Sequence, residues 1–225
     1  MKIRWRSEWV QFAIIAAMLA VAAATWSSVP DFVPVHWNFA GEVDQYGPRA
    51  VGLLAIPLAA LVAELVLLLI PWIDPGRDNY EQFYGAYAVL RLAIVLFLAV
   101  VYLLMQFVFH HRHVNMAQTM NLLIGALFIV LGNLLGKVRP NWFVGIRTPW
   151  TLSSKLAWDK THRLGGWLFI AAGVLILLGA MLPFPISAGI PGAAAIGLGI
   201  ALVIYSYFIW RRDPDKIPPA GTLPA

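Results

Sequence analysis

The chain has 225 residues, of which 60% are hydrophobic, 13% aromatic and 12% charged, with a net charge of +5. Charged residues stand at about half the ~25% of an ordinary soluble domain, which excludes a disordered or nucleic-acid-binding tail and leaves too few polar residues to give each helix of a soluble globule a wet face. There are no cysteines, so disulfides, thiol catalysis and cysteine-ligated metals are excluded as well. The composition points to one integral membrane unit.

A bilayer core of ~30 Å needs about 20 apolar residues as helix. Six stretches qualify: Val10–Trp26, Val51–Trp72, Ala86–Phe109, Thr119–Leu135, Gly165–Leu182 and Pro191–Trp210. They are continuously apolar, not alternating, so a barrel is not expected. The fold class expected is therefore all-α, polytopic, with about six transmembrane helices. Thirteen of the 16 basic residues fall before the first span, between spans two and three, between four and five, and after six; Arg49 and Arg112 fall on the other side and Arg91 within span three. By the positive-inside rule both termini are cytoplasmic. A basic start followed by Ala22-Ala23-Ala24 also fits a cleavable signal peptide; an uncleaved first span is the preferred reading. Small residues recur every four positions at Ala16, Ala20 and Ala24 and at Ala193, Gly197 and Ala201. Such stripes let helices approach closely, and packing within the chain is expected over a dimer contact.

The outer loop, 27–50, is polar, aromatic and punctuated by Pro30, Pro34, Gly41, Gly47 and Pro48, which favours fixed turns. His36, Trp37, Asn38, Glu42, Asp44 and Tyr46 offer ring faces beside hydrogen-bonding groups, a surface suited to a peptide or small ligand. The plainer reading is a compact cap with its aromatics at the membrane surface. His36, Glu42 and Asp44 as metal ligands lack a recognisable spacing, and His110, His111 and His113 lack an accompanying ligand motif.

The inner loop, 136–164, carries six basic residues and one acid, Asp159. Pro140-Asn141 and Thr148-Pro149 restrict its backbone, Gly145 permits a turn closed to other residues, and Ser153 or Ser154 fits the cap of a helix entering span five. Within the spans, Glu64 and Arg91 lie ~12 Å and ~8 Å from the inner end of theirs. A charge there costs of order 2.5–3.5 kcal/mol on insertion scales, so the two are expected to pair; snorkelling of Arg91 is the alternative. Asn121 and Asn133 are expected to bond between helices.

Two stretches resemble a known family. The run Pro30 to Arg49, with His36-Trp37-Asn38, Gly41-Glu42, Asp44 and Tyr46-Gly47, resembles the N-terminal domain of unknown function found in many SdpI-family membrane proteins. The segment from Asn133 to Trp167 is similar to the signature of the SdpI family itself. It carries Asn133, Lys137, Pro140, Asn141, Phe143, Gly145, Arg147, Thr148, Pro149, Trp150, Trp158 and Arg163. The expected organisation is a two-span unit over 1–72 with its outer loop at 27–50, a third span with flanks over 73–117, an SdpI-like three-span unit over 118–212 with a cytoplasmic loop at 136–164, and a polar tail over 213–225.

The resemblance implies immunity to an exported membrane-active peptide toxin in the bacterial cell membrane, with the outer loop meeting the toxin. It also implies a receptor that holds a cytoplasmic transcriptional repressor at the membrane. The partners expected are thus the lipid bilayer, a secreted peptide outside and a repressor inside, with no direct nucleic-acid binding and no cofactor. A small-solute or lipid transporter and a membrane-embedded enzyme are the alternatives. No phosphate loop, zinc-protease helix or serine elbow is present. His36 with Asp44, or His162 with Asp159, offers a base and an orienter without a recognisable nucleophile.

Overall fold

The computed structural model describes residues 5–110 and 113–217. Lys2, Arg4, His111, Arg112 and the end of the tail lie outside the described residues. The elements in chain order are α1 (Trp5–Thr25), β1 (Phe32–Trp37), β2 (Val43–Pro48), α2 (Arg49–Ile73), a 3-10 turn (Arg77–Asn79), α3 (Tyr80–Phe109), α4 (Met116–Leu135), the short α5 (Pro149–Leu152), α6 (Lys155–Gly179) and α7 (Ile186–Arg211). α2, α3, α4, α6 and α7 are each long and apolar enough to cross a membrane, and the apolar part of α1, Trp9–Thr25, is shorter. At 1.5 Å per residue the whole of α1 still reaches about 31 Å. The chain is a polytopic helical membrane protein.

α1, α2 and α3 share one core. Ile15, Met18 and Ala22 repeat on one face of α1 and meet Leu53 and Ala60 of α2 and Val95, Tyr102 and Phe109 of α3. The other three spans close around α6. There α4 and α6 touch through glycines. A Cβ on Gly132 would lie 2.7 Å from the Gly166 carbonyl oxygen, and one on Gly125 would lie 2.9 Å from that of Gly173. Only bare backbones approach this closely. Leu198 and Leu202 of α7 pack against the Ala172 region of α6.

Three expectations need correction. The small-residue stripes do not pack inside the chain: Ala16, Ala20 and Ala24, and Ala193, Gly197 and Ala201, are all exposed, while α1 buries the face of Ile15, Met18 and Ala22. The inner loop does not run to Leu164, because α6 begins at Lys155, where the Ser154 side chain accepts the Ala157 N–H as its cap. Asn133 does not reach another helix; it is exposed and donates to the Ile129 carbonyl of its own α4. Asn121 does cross, donating from Nδ2 to the Ser187 carbonyl of α7 at 2.9 Å.

The outer loop also adds a small antiparallel hairpin to the helical frame, with Phe32 opposite Pro48 and Trp37 opposite Val43. The β-branched and aromatic residues of Phe32–Trp37 suit a half-buried strand, and the register shifts on either side of His36.

Candidate functional site

The inner loop is a knot of hydrogen bonds. Asn141 is buried at its centre. Its Oδ1 accepts the Phe143 and Val144 N–H groups at 2.9 and 2.6 Å, and its Nδ2 donates to the Arg139 and Val144 carbonyls. The turn between α2 and α3 stitches onto it. Asp74 accepts from the Gly76 N–H at 2.6 Å, the Tyr80 hydroxyl at 2.8 Å and the Trp142 N–H at 3.1 Å. Asn79 Nδ2 donates to the Pro140 carbonyl at 2.7 Å. Buried polar groups in a membrane protein must find partners inside the chain, and this loop supplies them.

α6 forms the floor. Trp158 is fully buried, donates from Nε1 to the Val138 carbonyl at 3.0 Å and stacks on His162 with ring centroids 4.1 Å apart. His162 Nε2 accepts the Ile146 N–H at 2.9 Å, so its proton sits on Nδ1, which donates to the Trp158 carbonyl. His162 makes no hydrogen bond to Asp159, whose carboxylate instead pairs with Lys155. Gly145 lies against the imidazole with φ of +111°, where a side chain would meet the ring. Thr148 and Thr151 cap each other around α5, and the Thr148 hydroxyl lies 3.0 Å from that of Ser206 on α7. Ser154 donates to Asp213 in the tail. That bond is the largest cause holding the Asp213 carboxyl below its ordinary range.

The signature residues therefore divide. Pro140, Asn141, Gly145, Thr148 and Trp158 build the knot, and Trp150 packs edge-on to Tyr207. Lys137, Phe143, Arg147, Pro149 and Arg163 are exposed, and Arg147 also donates to the Trp142 carbonyl at 2.7 Å. Asp74, Asn79, Tyr80, Ser206 and Asp213 escaped the sequence reading. Each also has a partner 58 to 68 residues away, and only the helix-capping pattern around Ser154 hinted at any of them.

Outside, the singled-out residues also fall into two sets. Asn38 shapes the hairpin turn: its Oδ1 accepts the Ala40 and Glu42 N–H groups at 2.9 and 3.0 Å, and its Nδ2 donates to Glu42 at 3.1 Å. His36 Nδ1 meets Asp44 Oδ1 at 2.6 Å across the strands, with both side chains exposed. Glu42 is thus engaged with Asn38 and not with His36 or Asp44, and among the described residues no group of three His, Asp or Glu could hold a metal. Tyr46 is exposed, while Trp37 is half-buried against the core of the first three helices. His110 contacts Ser28 and its own Gln106 carbonyl.

The hairpin is anchored at both ends. Arg49 donates to the Trp26 carbonyl at 3.0 Å and pairs with Asp31 at its base. At its tip Gly41, with φ of +80°, sits so close to α4 that a Cβ would be 2.8 Å from the Ala117 nitrogen. Beneath the tip opens a groove of about 810 Å³ between the outer ends of α4 and α7. Trp37, Asn38 and Phe39 edge it, Met120 and Ile124 line the α4 side, and Gly192 and Ala193 belong to the α7 side. In the middle of the first bundle, Arg91 on α3 forms an ion pair with Glu64 on α2, both almost wholly buried.

Comparison with known proteins places this architecture. Residues 137–209 match the SdpI/YfhL protein family, and residues 13–61 match a domain of unknown function, DUF1648. The first segment contains the inner loop and the second the outer hairpin. Over these segments the chain is similar to proteins of the SdpI/YfhL family. It is 19% identical over 167 residues to the immunity protein SdpI of Bacillus subtilis (strain 168), an alignment covering 74% of this chain and 78% of that protein. No solved structure matches the chain. Within the SdpI/YfhL match fall the knot from Lys137 onward, α6 and nearly all of α7; Asp74 and Tyr80, which complete the knot, lie outside both matched segments.

Proposed function

We propose that this protein is an immunity protein that protects its cell from an exported membrane-active peptide. The observation that carries the reading is the outer groove. It lies where a peptide arriving at the outer leaflet meets the protein, and it joins the hairpin to the apolar ends of two spans. A membrane-active peptide is apolar along one face at least, and a groove walled by Met120, Ile124 and Ala193 offers that face a match. His36, Asp44 and Tyr46, exposed on the hairpin, would meet its polar part. Trp37, Asn38 and Glu42 would hold the hairpin in shape.

A receptor function would use what the knot leaves exposed on the cytoplasmic side. Lys137, Arg139, Trp142, Phe143 and Arg147 form a basic and aromatic surface suited to a cytoplasmic repressor. Asp74 and Asn141 fix the backbone that carries it.

The test is survival. The chain is expressed in a toxin-sensitive Gram-positive strain and challenged with the family's peptide toxin. Parent protein protects. Ala193→Trp, which fills the groove, and His36→Ala with Trp37→Ala, which alters the hairpin, lose protection at unchanged membrane levels. Absence of protection by the parent at normal membrane levels would remove this reading.

A further inference from the structure

One residue of the outer groove does not match its surroundings. Met120, Ile124, Phe184, Pro185 and Ile196 make the walls apolar, and Asn121 is set among them. Its side chain is buried, with 7% of the residue exposed. It stands five residues past Met116, the start of α4. That is about 8 Å along the helix, at the depth of the outer-leaflet acyl chains.

The carboxamide is only half used. Such a group offers two N–H donors and one acceptor oxygen. Nδ2 donates to the Ser187 carbonyl of α7 at 2.9 Å. A carbonyl only accepts, so this bond decides which end of the amide is nitrogen. Oδ1, at the other end, has no hydrogen-bond partner among the described residues. It is not sealed inside the protein either, since the fully enclosed, unpaired side-chain atoms there belong to Tyr102, Gln106, Thr161 and Trp210. The oxygen therefore keeps contact with open space, and the space that Asn121 lines is the groove.

Ala193 and Ile196, on the α7 wall, are exposed. The groove thus borders the lipid, and an acyl chain is the guest always at hand. An acyl chain carries no donor and would leave Oδ1 unpaired. A site built around a hydrogen-bonding group rejects a guest that lacks the counterpart far more strongly than an apolar pocket tells one hydrocarbon from another. A peptide can supply the counterpart through a serine or threonine hydroxyl, or through a backbone N–H left open at a bend.

We propose that Asn121 makes the outer groove selective: it turns acyl chains away and holds a peptide segment that presents an O–H or N–H group within its apolar face. The peptide half rests on the immunity reading. The exclusion of lipid does not.

The test places the full-length protein in phosphatidylcholine nanodiscs that include a phosphatidylcholine with a photoreactive diazirine in one acyl chain. Cross-linked residues are mapped by mass spectrometry. Labelling of Met120 and Ile124 is read against Leu96 and Leu127, which line an apolar groove between α3 and α4. In the parent the outer groove is labelled less than that reference. Asn121→Leu, of nearly the same size, raises labelling of Met120 and Ile124 about fivefold, the scale of one unmade hydrogen bond at a buried site. It leaves the reference unchanged. In the survival assay Asn121→Leu tolerates about fivefold less of the family's peptide toxin at unchanged membrane levels.

Equal labelling of the outer groove in parent and variant overturns the proposal. So does added labelling that spreads to Leu198, which is buried on α7, because Asn121 would then only hold the two helices together. A parent that protects and an Asn121→Leu variant that protects equally well overturn the peptide half and leave the immunity reading standing. A parent that fails to protect removes the immunity reading and the peptide guest with it, and the cross-links alone then decide the exclusion of lipid.

Discussion

Arg91 and Glu64 face each other across the α2–α3 interface with almost no exposure to solvent or lipid. A buried pair is weak evidence of net stabilisation, because desolvating both charges offsets much of their attraction. Removing one member is a different matter, since the other keeps its charge in a medium of low dielectric. Arg91→Met or Glu64→Leu alone is expected to destabilise by about 3 kcal/mol or more. The double variant Glu64→Leu with Arg91→Met recovers most of that loss. Thermal unfolding in detergent, arranged as a double-mutant cycle, measures the coupling. Additive losses would show that the two act separately.

Gly145 supplies a second prediction. Its φ of +111° belongs to glycine, and an added methyl group would run into the His162 ring. Gly145→Ala therefore strains the backbone and displaces the imidazole that accepts the Ile146 N–H. The expected cost is roughly 1–3 kcal/mol, read as a lower unfolding temperature and faster proteolysis within the loop. Gly136→Ala is the control, with helical φ and nothing near its added carbon. It should leave both readings close to the parent.

A third prediction concerns acid. The Ser154 hydroxyl, above all, holds Asp213 below the ordinary carboxylate range. The ionised carboxylate is thus favoured in the folded chain, and its contribution is fully present above the unfolded value of about 3.9. It is lost as pH falls through the lower folded value. Unfolding temperature recorded from about pH 7 down to about pH 3 should fall less steeply in Asp213→Asn than in the parent. Identical acid limbs would show that the tail contact carries no linkage.

A fourth prediction concerns the α4–α6 contact. Gly132 and Gly166, and Gly125 and Gly173, stand with no room for side chains between the helices. Gly132→Leu should separate them and lower the folded yield in the membrane, with a cost above about 1–3 kcal/mol for overpacking. Gly199→Leu on α7, where an added carbon meets nothing, should be tolerated. In-membrane fluorescence detection of monodisperse protein distinguishes the two.

These predictions rest unevenly on what the sequence could reveal. The spans were legible because long continuous apolar runs admit one solution in a bilayer. The start of α6 was legible in part: Ser153 or Ser154 stood out as a cap, but polar Lys155–Leu164 still read as loop, and the structure selects Ser154. The hairpin was hidden by Pro34 within β1 and by the register shift at His36. The tight helix contact was missed for a different reason. Gly125 with Gly132, and Gly166 with Gly173, repeat every seven residues, whereas the conspicuous four-residue stripes of α1 and α7 face outward. Periodicity alone does not say which face of a span is inward, since lipid and protein core are equally apolar. The signature loop was recognisable as a motif, but its role was not. Asn141 turns out to grip its own loop, through Arg139, Phe143 and Val144, while Asp74 and Tyr80, two spans earlier in the chain, reach Trp142 and Asn141.

The doubly fastened hairpin has a consequence for dosage. With its base tied by Arg49 and its tip seated on Ala117, the hairpin forms a fixed roof over the groove, not a swinging door. On the immunity reading proposed above, a guest would enter sideways, out of the hydrocarbon between α4 and α7, instead of dropping in from water. For such a guest the quantity that sets occupancy is its mole fraction in the lipid. On that reading, a peptide that partitions more strongly into the bilayer would then occupy the groove at a lower concentration in the medium, whatever its affinity for the hairpin from water.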